Sequence, residues 1–152
     1  MSGACRRGRT LYSRIVGPDP GLIERLRAVL GAGPALRLAV LFGSTARGTR
    51  HAQSDVDIAI LPADAALSLA HESHLQLALE RACGSAVDLV RLDHAPLVLR
   101  WRIASEGVPV VGAHVEWARF AAATASEHAD FAPALARAAA LFRERLASKG
   151  VA

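Results

Sequence analysis

Apolar positions fall into two rhythms along this chain: short runs that are continuous or alternate, and longer stretches in which they recur every third or fourth residue. Leu22, Ile23, Leu26, Val29 and Leu30 make one helical stripe behind Asp19-Pro20, a cap followed by a residue suited to the first helical position, and the stripe stops at Gly31-Ala32-Gly33-Pro34. Leu36 to Phe42 is a compact apolar run, a buried strand that breaks off at Gly43-Ser44. Thr45 to Ser54 has room for one or two helical turns. Asp55 to Leu61 then reads as a second strand, with Asp55, Asp57 and Ala59 on one face, Val56, Ile58 and Ile60 on the other, and Pro62 closing it.

Further on, Asp64 is expected to cap a helix running to about Ala82, with Leu67, Ala70, Leu75, Ala78, Leu79 and Ala82 at helical spacing and Gly84 as its stop. Ala86 to Val90 predicts a third strand. Pro96 to Glu106 predicts a helix stopped by Gly107, and Val108 to Val111 a short strand that Pro109 sends to a sheet edge. From residue 113 to about Ser148 the pattern is helical and alanine-rich, with one stripe through Trp117, Phe120, Ala121 and Thr124 and a second through Phe131, Leu135, Ala138, Phe142 and Leu146. His128 to Asp130 and Pro133 interrupt it, so the pattern fits either two helices or one kinked helix. Strands and helices interleaved in this way predict an α/β (α+β) chain.

Composition narrows the picture. At 152 residues with 52% apolar content the chain suits one domain with a real core. No apolar run is long enough to span a bilayer and the first ten residues hold no apolar segment, so no membrane association and a cytoplasmic location are expected. Cys5 and Cys83 offer neither a disulfide framework nor a metal cluster. The net charge of +4 is carried almost wholly by arginine, Lys149 being the one lysine; this suits a nucleotide, a nucleic acid or an acidic protein surface without choosing among them. Aromatic residues, at 5%, are too sparse for stacking platforms, and no direct nucleic-acid binding is expected. Arg6, Arg7, Arg9 and Arg14 make residues 1–18 a basic arm, and His71 and His74 are expected to face solvent or a rim.

The candidate chemistry gathers between Val40 and Leu61. The bare amides of a Gly43-Ser44 turn can meet an anion. Asp55 and Asp57, on one face and roughly 7 Å apart along a strand, repel each other unless a cation sits between them, and magnesium, with its preference for oxygen ligands, is the natural one. Asp-x-Asp at a strand start also has a plain reading as a solvated turn. Asp88 interrupts the third apolar run; a buried, unpaired carboxylate costs several kcal/mol, so it either joins Asp55 and Asp57 around a metal or pairs with Arg91 or Arg100. Asp93 is a weaker candidate, since it precedes a turn.

The sequence Gly43-Ser44-Thr45-Ala46-Arg47-Gly48, with ten residues separating Ser44 from Asp55-Val56-Asp57, resembles the signature of the polymerase beta nucleotidyltransferase superfamily. Within it, the chain is most similar to the minimal nucleotidyltransferases, a branch that includes the MntA-like antitoxins paired with HEPN toxins; the resemblance covers about residues 20 to 112. It implies a nucleotidyltransferase fold: a small mixed sheet with flanking helices over residues 19–112 and a helical extension over 113–152, packed on the core or on a partner. It implies two Mg2+ ions held by Asp55, Asp57 and Asp88, ATP as substrate, and triphosphate contacts from Gly43, Ser44, Arg47 and Ser54, with Arg47 alternatively forming a salt bridge that steadies its short helix. The implied function is transfer of AMP to a tyrosine of a HEPN ribonuclease toxin, in a homo- or hetero-oligomer. Two alternatives stand beside it: an antitoxin that neutralises its toxin by binding alone, and an aminoglycoside-type small-molecule nucleotidyltransferase.

Overall fold

In a computed structural model, which describes residues 17–49 and 54–148, the first apolar stripe becomes helix α1 (Pro20–Ala32). The Asp19 carboxylate accepts from the Gly21 and Leu22 amides, the free donors of a helix start, and Leu22, Leu26 and Leu30 are buried. Strand β1 (Leu36–Phe42) follows the expected run to the residue. Helix α2 (Gly43–Ala46) begins at once, earlier than the expected turns over Thr45 to Ser54, and strand β2 is Val56–Pro62, leaving Asp55 just outside it. Residues 50–53 lie outside the described residues, as does the basic arm apart from Gly17 and Pro18.

Helix α3 (Leu69–Cys83) starts later than expected. Asp64 caps only a local turn, accepting from the Ala66 amide at 2.9 Å, while Ser68 provides the helix cap by accepting from the His71 amide. Gly84 ends the helix in the left-handed region, as its sequence position suggested. Strand β3 (Val87–Arg91), helix α4 (Leu97–Glu106) and strand β4 (Val108–Val111) complete the core. The sheet order is β3-β2-β1-β4, with β1 antiparallel to β2 and β4, and β2 parallel to β3. The sheet is therefore mixed, and Pro109 sits on an edge strand, where its missing N–H costs no ladder bond.

Strand alternation sorts the core onto two faces. Ala39, Leu41, Ile58, Ile60 and Val87 pack with α1 and α3; Leu38, Val40, Phe42 and Ala59 pack with Ile103 of α4 and with Trp117 and Phe120. Arg91, at the far end of β3, pairs with Glu72 at 2.9 Å and Asp93 at 2.5 Å and donates to the Leu67 and Ala65 carbonyls, tying down the connection before α3.

Residues 114–148 form a single helix, α5 (His114–Ser148), with Pro133 inside it. The carbonyl that Pro133 leaves without an amide lies on an exposed stretch, open to solvent. The first half of α5 is pinned to the core: Glu127 takes two hydrogen bonds from Arg100, Trp101 and His128 stack at 4.2 Å, and Thr124 is buried. The second half is not, since Phe131 is 56% and Phe142 64% exposed. Among the described residues no helix is long and apolar enough to cross a membrane.

Candidate active site

The end of β1 and the start of β2 lie side by side, with Phe42 opposite Asp57 in the ladder. Gly43 follows at φ +69°, which an L side chain adopts only with strain, and a Cβ there would collide with the Asp57 carboxylate. Glycine is thus what lets the turn backbone lie against that carboxylate. The turn is tied internally by the Arg47 amide donating to the Gly43 carbonyl and by the Thr49 amide and hydroxyl donating to the Ser44 carbonyl. Buried Thr45, which the sequence did not single out, donates its hydroxyl to the Asp55 carbonyl at 3.4 Å and links the two halves of the motif. Ser44 is half-buried, and its hydroxyl has no hydrogen-bond partner among the described residues.

Asp57 and Asp88 are direct partners in the parallel β2–β3 pairing and so share a sheet face. Asp55 stands at the mouth of β2, exposed, and Ser54 precedes it, half-buried. The reason given for Asp88 from sequence needs correcting: it is exposed on edge strand β3 and does not suffer burial in an apolar interior. The salt-bridge alternative also fails, because Arg91 is engaged by Glu72 and Asp93, and Arg100 by Glu127. Asp93, held by Arg91 past the other end of β3, is not in the group.

The Asp57 carboxyl is pushed above its usual range, by burial first and then by the negative charge of Asp88, with Asp55 adding to it; Arg102 and Arg47 pull the other way. Arg102 was missed from sequence. It lies on α4, four residues before Glu106, and donates to Glu106 Oε1 at 2.6 Å, while Arg47 donates to Glu106 Oε2 at 2.7 Å. The salt bridge proposed for Arg47 is therefore present, and it leads to α4. Burial pushes the Glu106 carboxyl up, but the bonds from Arg102 and Arg47 outweigh this and hold it below its ordinary value.

Among the described residues no three His, Cys, Asp or Glu side chains gather closely enough to hold a metal ion by themselves. That does not conflict with magnesium, which is usually bound by one or two carboxylates together with substrate phosphates and water. Asp57 and Asp88, adjacent, mutually repelling and without hydrogen-bond or ion-pair partners among the described residues, suit an ion that arrives with a nucleotide. His71 and His74 lie elsewhere, exposed on α3 at an apolar concavity of about 460 Å³, and Ser68 bonds His71 Nδ1 at 2.8 Å.

Residues 24–114, more than half of the chain, match the family described as polymerase beta, nucleotidyltransferase. The protein adenylyltransferase MntA of Shewanella oneidensis is 40% identical over 93 residues, which span 61% of this chain and 66%, just under two thirds, of that relative. A toxin-antitoxin crystal structure with AMP-PNP aligns at a TM-score of 0.69 and 32% identity, covering 82% of this chain and 98% of that one. The complex of tri-AMPylated Shewanella oneidensis HEPN toxin with MNT antitoxin aligns at 0.63 and 28% identity, covering 82% and 96%. With the Gly-Ser turn, the in-register carboxylates and the mixed sheet in place, the chain belongs to the polymerase beta nucleotidyltransferase family, in its minimal, MntA-like branch.

Proposed function

We propose that this protein is a magnesium-dependent adenylyltransferase and antitoxin, acting in the cytoplasm on the tyrosine hydroxyl of a HEPN-type ribonuclease toxin. The observation that carries the reading is the placement of Asp57 and Asp88, in register on one face, against a turn whose glycine leaves room for the Asp57 carboxylate alone. A protein that only bound its toxin would gain nothing from adjacent carboxylates kept in mutual repulsion.

In this reading the tyrosine oxygen attacks the α-phosphorus of ATP in line, the bond to the β-phosphate oxygen breaks, and pyrophosphate departs. The tyrosine proton passes to Asp88, which is exposed on edge strand β3 and so open to an incoming acceptor. Asp55, Asp57 and Asp88 would hold two magnesium ions, which supply charge neutralisation at the phosphate oxygens when bound. The Ser44 hydroxyl and the amides of its turn receive the β- and γ-phosphates, Arg47 adds positive charge beside them, and Ser54 orients the chain into Asp55.

The reading puts the toxin on the distal half of α5, where Phe131, Leu135 and Phe142 are exposed and fall on one helical face of an element whose first half is anchored to the core. This assigns residues 19–112 to donor chemistry and the outer part of 113–152 to the partner, with hetero-oligomerisation through that helix and no direct nucleic-acid contact.

Incubating the protein with magnesium, each nucleoside triphosphate in turn and the HEPN protein encoded beside it should add the mass of AMP to that protein, with ATP as donor. Tight association without a mass change would sink the catalytic reading and leave sequestration. Phe131→Glu combined with Phe142→Glu should weaken capture of the toxin by about tenfold or more, the scale of a buried aromatic anchor, and leave ATP binding unchanged. Full capture by that variant moves the partner off α5.

A further inference from the structure

We infer that Arg102 is a second arginine that grips the donor triphosphate, and that Glu106 is the positioning residue that sets Arg47 and Arg102 together beside Asp57. The inference rests on the nucleotidyltransferase reading and extends its phosphate site to α4, an element outside the Gly-Ser and Asp-x-Asp motifs.

Glu106 spends one carboxylate oxygen on each arginine, at 2.7 Å to Arg47 Nη1 and 2.6 Å to Arg102 Nε. Two guanidinium groups so close would repel each other without it. Each keeps other N–H groups that find no partner among the described residues: Arg47 is committed only through Nη1 and Arg102 only through Nε. Arg47 closes the short Gly43–Ala46 helix, whose first residue lies against the Asp57 carboxylate, so the Glu106 bridge ties Arg102 to the same turn. The pair thus keeps guanidinium donors for phosphate oxygens on the α4 side of the Gly43-Ser44 turn, where a triphosphate is expected.

Glu106 is itself held in place. Gly107, directly after it, has no room for a Cβ, which would run into the Ile103 carbonyl and the Val40 side chain, so the end of α4 is pressed onto β1. An arginine pair serving only to join α2 to α4 would have no bearing on which nucleotide binds. A phosphate-binding pair discriminates by the length of the phosphate chain, because α-phosphate contacts belong to the carboxylate side and β,γ contacts to the arginines.

The test is calorimetric titration of the purified full chain with Mg·ATP and separately with AMP. Arg102→Gln is expected to weaken Mg·ATP binding about tenfold, the loss of one charge-assisted hydrogen bond, while AMP binding changes less than about twofold. Arg102→Lys should recover part of the ATP affinity, and Glu106→Gln should weaken ATP several-fold with AMP again spared. In transfer assays the Arg102 variants raise KM for ATP more than they lower kcat. If Arg102→Gln fails to fold, the Arg102→Lys and Glu106→Gln titrations decide. ATP and AMP affected equally, or neither affected, overturns the inference. Wild-type protein that binds no nucleoside triphosphate overturns the nucleotidyltransferase reading itself, a separate outcome.

Discussion

Replacing Asp57 with asparagine is expected to leave a folded, slightly more heat-stable protein that no longer transfers AMP. The loss of activity should be on the order of a thousandfold or more, the scale set by removing one preorganised charge-stabilising group from a phosphoryl or acyl transfer site. The gain in stability comes from the environment of this carboxylate. Burial and the neighbouring charges of Asp88 and Asp55 push its pKa up, and the opposing arginines Arg102 and Arg47 do not cancel them. A carboxyl with a raised folded-state pKa favours the fold below its unfolded pKa, and that contribution is lost as pH rises through the folded value. At neutral pH the ionised Asp57 therefore works against folding, and the asparagine variant is relieved of it. The difference in Tm between variant and parent, measured without magnesium, should be positive at pH 7 and shrink towards zero as pH falls to about 4. Magnesium with nucleotide should stabilise the parent and not the variant, reversing the order. Retained transfer by Asp57→Asn would remove Asp57 from the mechanism. A lower Tm at pH 7 without magnesium would mean that the carboxylate holds the sheet together instead of straining it.

Much of the fold was legible because this chain punctuates its elements sharply. β1 ends where its apolar run meets Gly43-Ser44, and α1 begins where Asp19 caps and Pro20 opens it. What local pattern left undecided was settled by competition between equivalent signals or by topology. Asp64 and Ser68 are both good caps; Asp64 closes a turn through the Ala66 amide, and the helix waits for Ser68. Pro133 in a buried helix would be a break, but on the exposed half of α5 the carbonyl it frees is open to solvent and the helix runs through it.

The site divides in the same way. Gly43, Ser44, Asp55 and Asp57 stand in one short stretch whose spacing carries the message. Asp88 was found for a reason that does not hold, since a single strand's sequence does not say that the strand will lie at a sheet edge, where a carboxylate stays exposed. Arg102 and Glu106 were not found at all. Four apart on a helix, they look like an ordinary surface ion pair, and only the packing of α4 on β1 brings them to Arg47 and Asp57.

Gly43→Ala is expected to damage both stability and transfer, through two separable causes. The backbone at φ +69° alone costs an alanine about 1–2 kcal/mol. The added methyl also overlaps the Asp57 carboxylate, which must then swing away or push the turn off β2. A displacement of about 1 Å at a reacting centre is enough for about a hundredfold loss in rate, and that is the expected fall in transfer. The causes separate in a double-mutant cycle. In an Asp57→Ala background the nearest remaining atom is the residue-57 Cβ, at an ordinary contact distance of 3.4 Å, so only the backbone part of the stability loss should survive. Urea denaturation of the four proteins should therefore show Gly43→Ala costing measurably less when Asp57 has been truncated, a coupling of the kind that touching residues display. An equal cost in both backgrounds would mean that the close approach of turn and carboxylate, on which the phosphate site depends, is not present in solution.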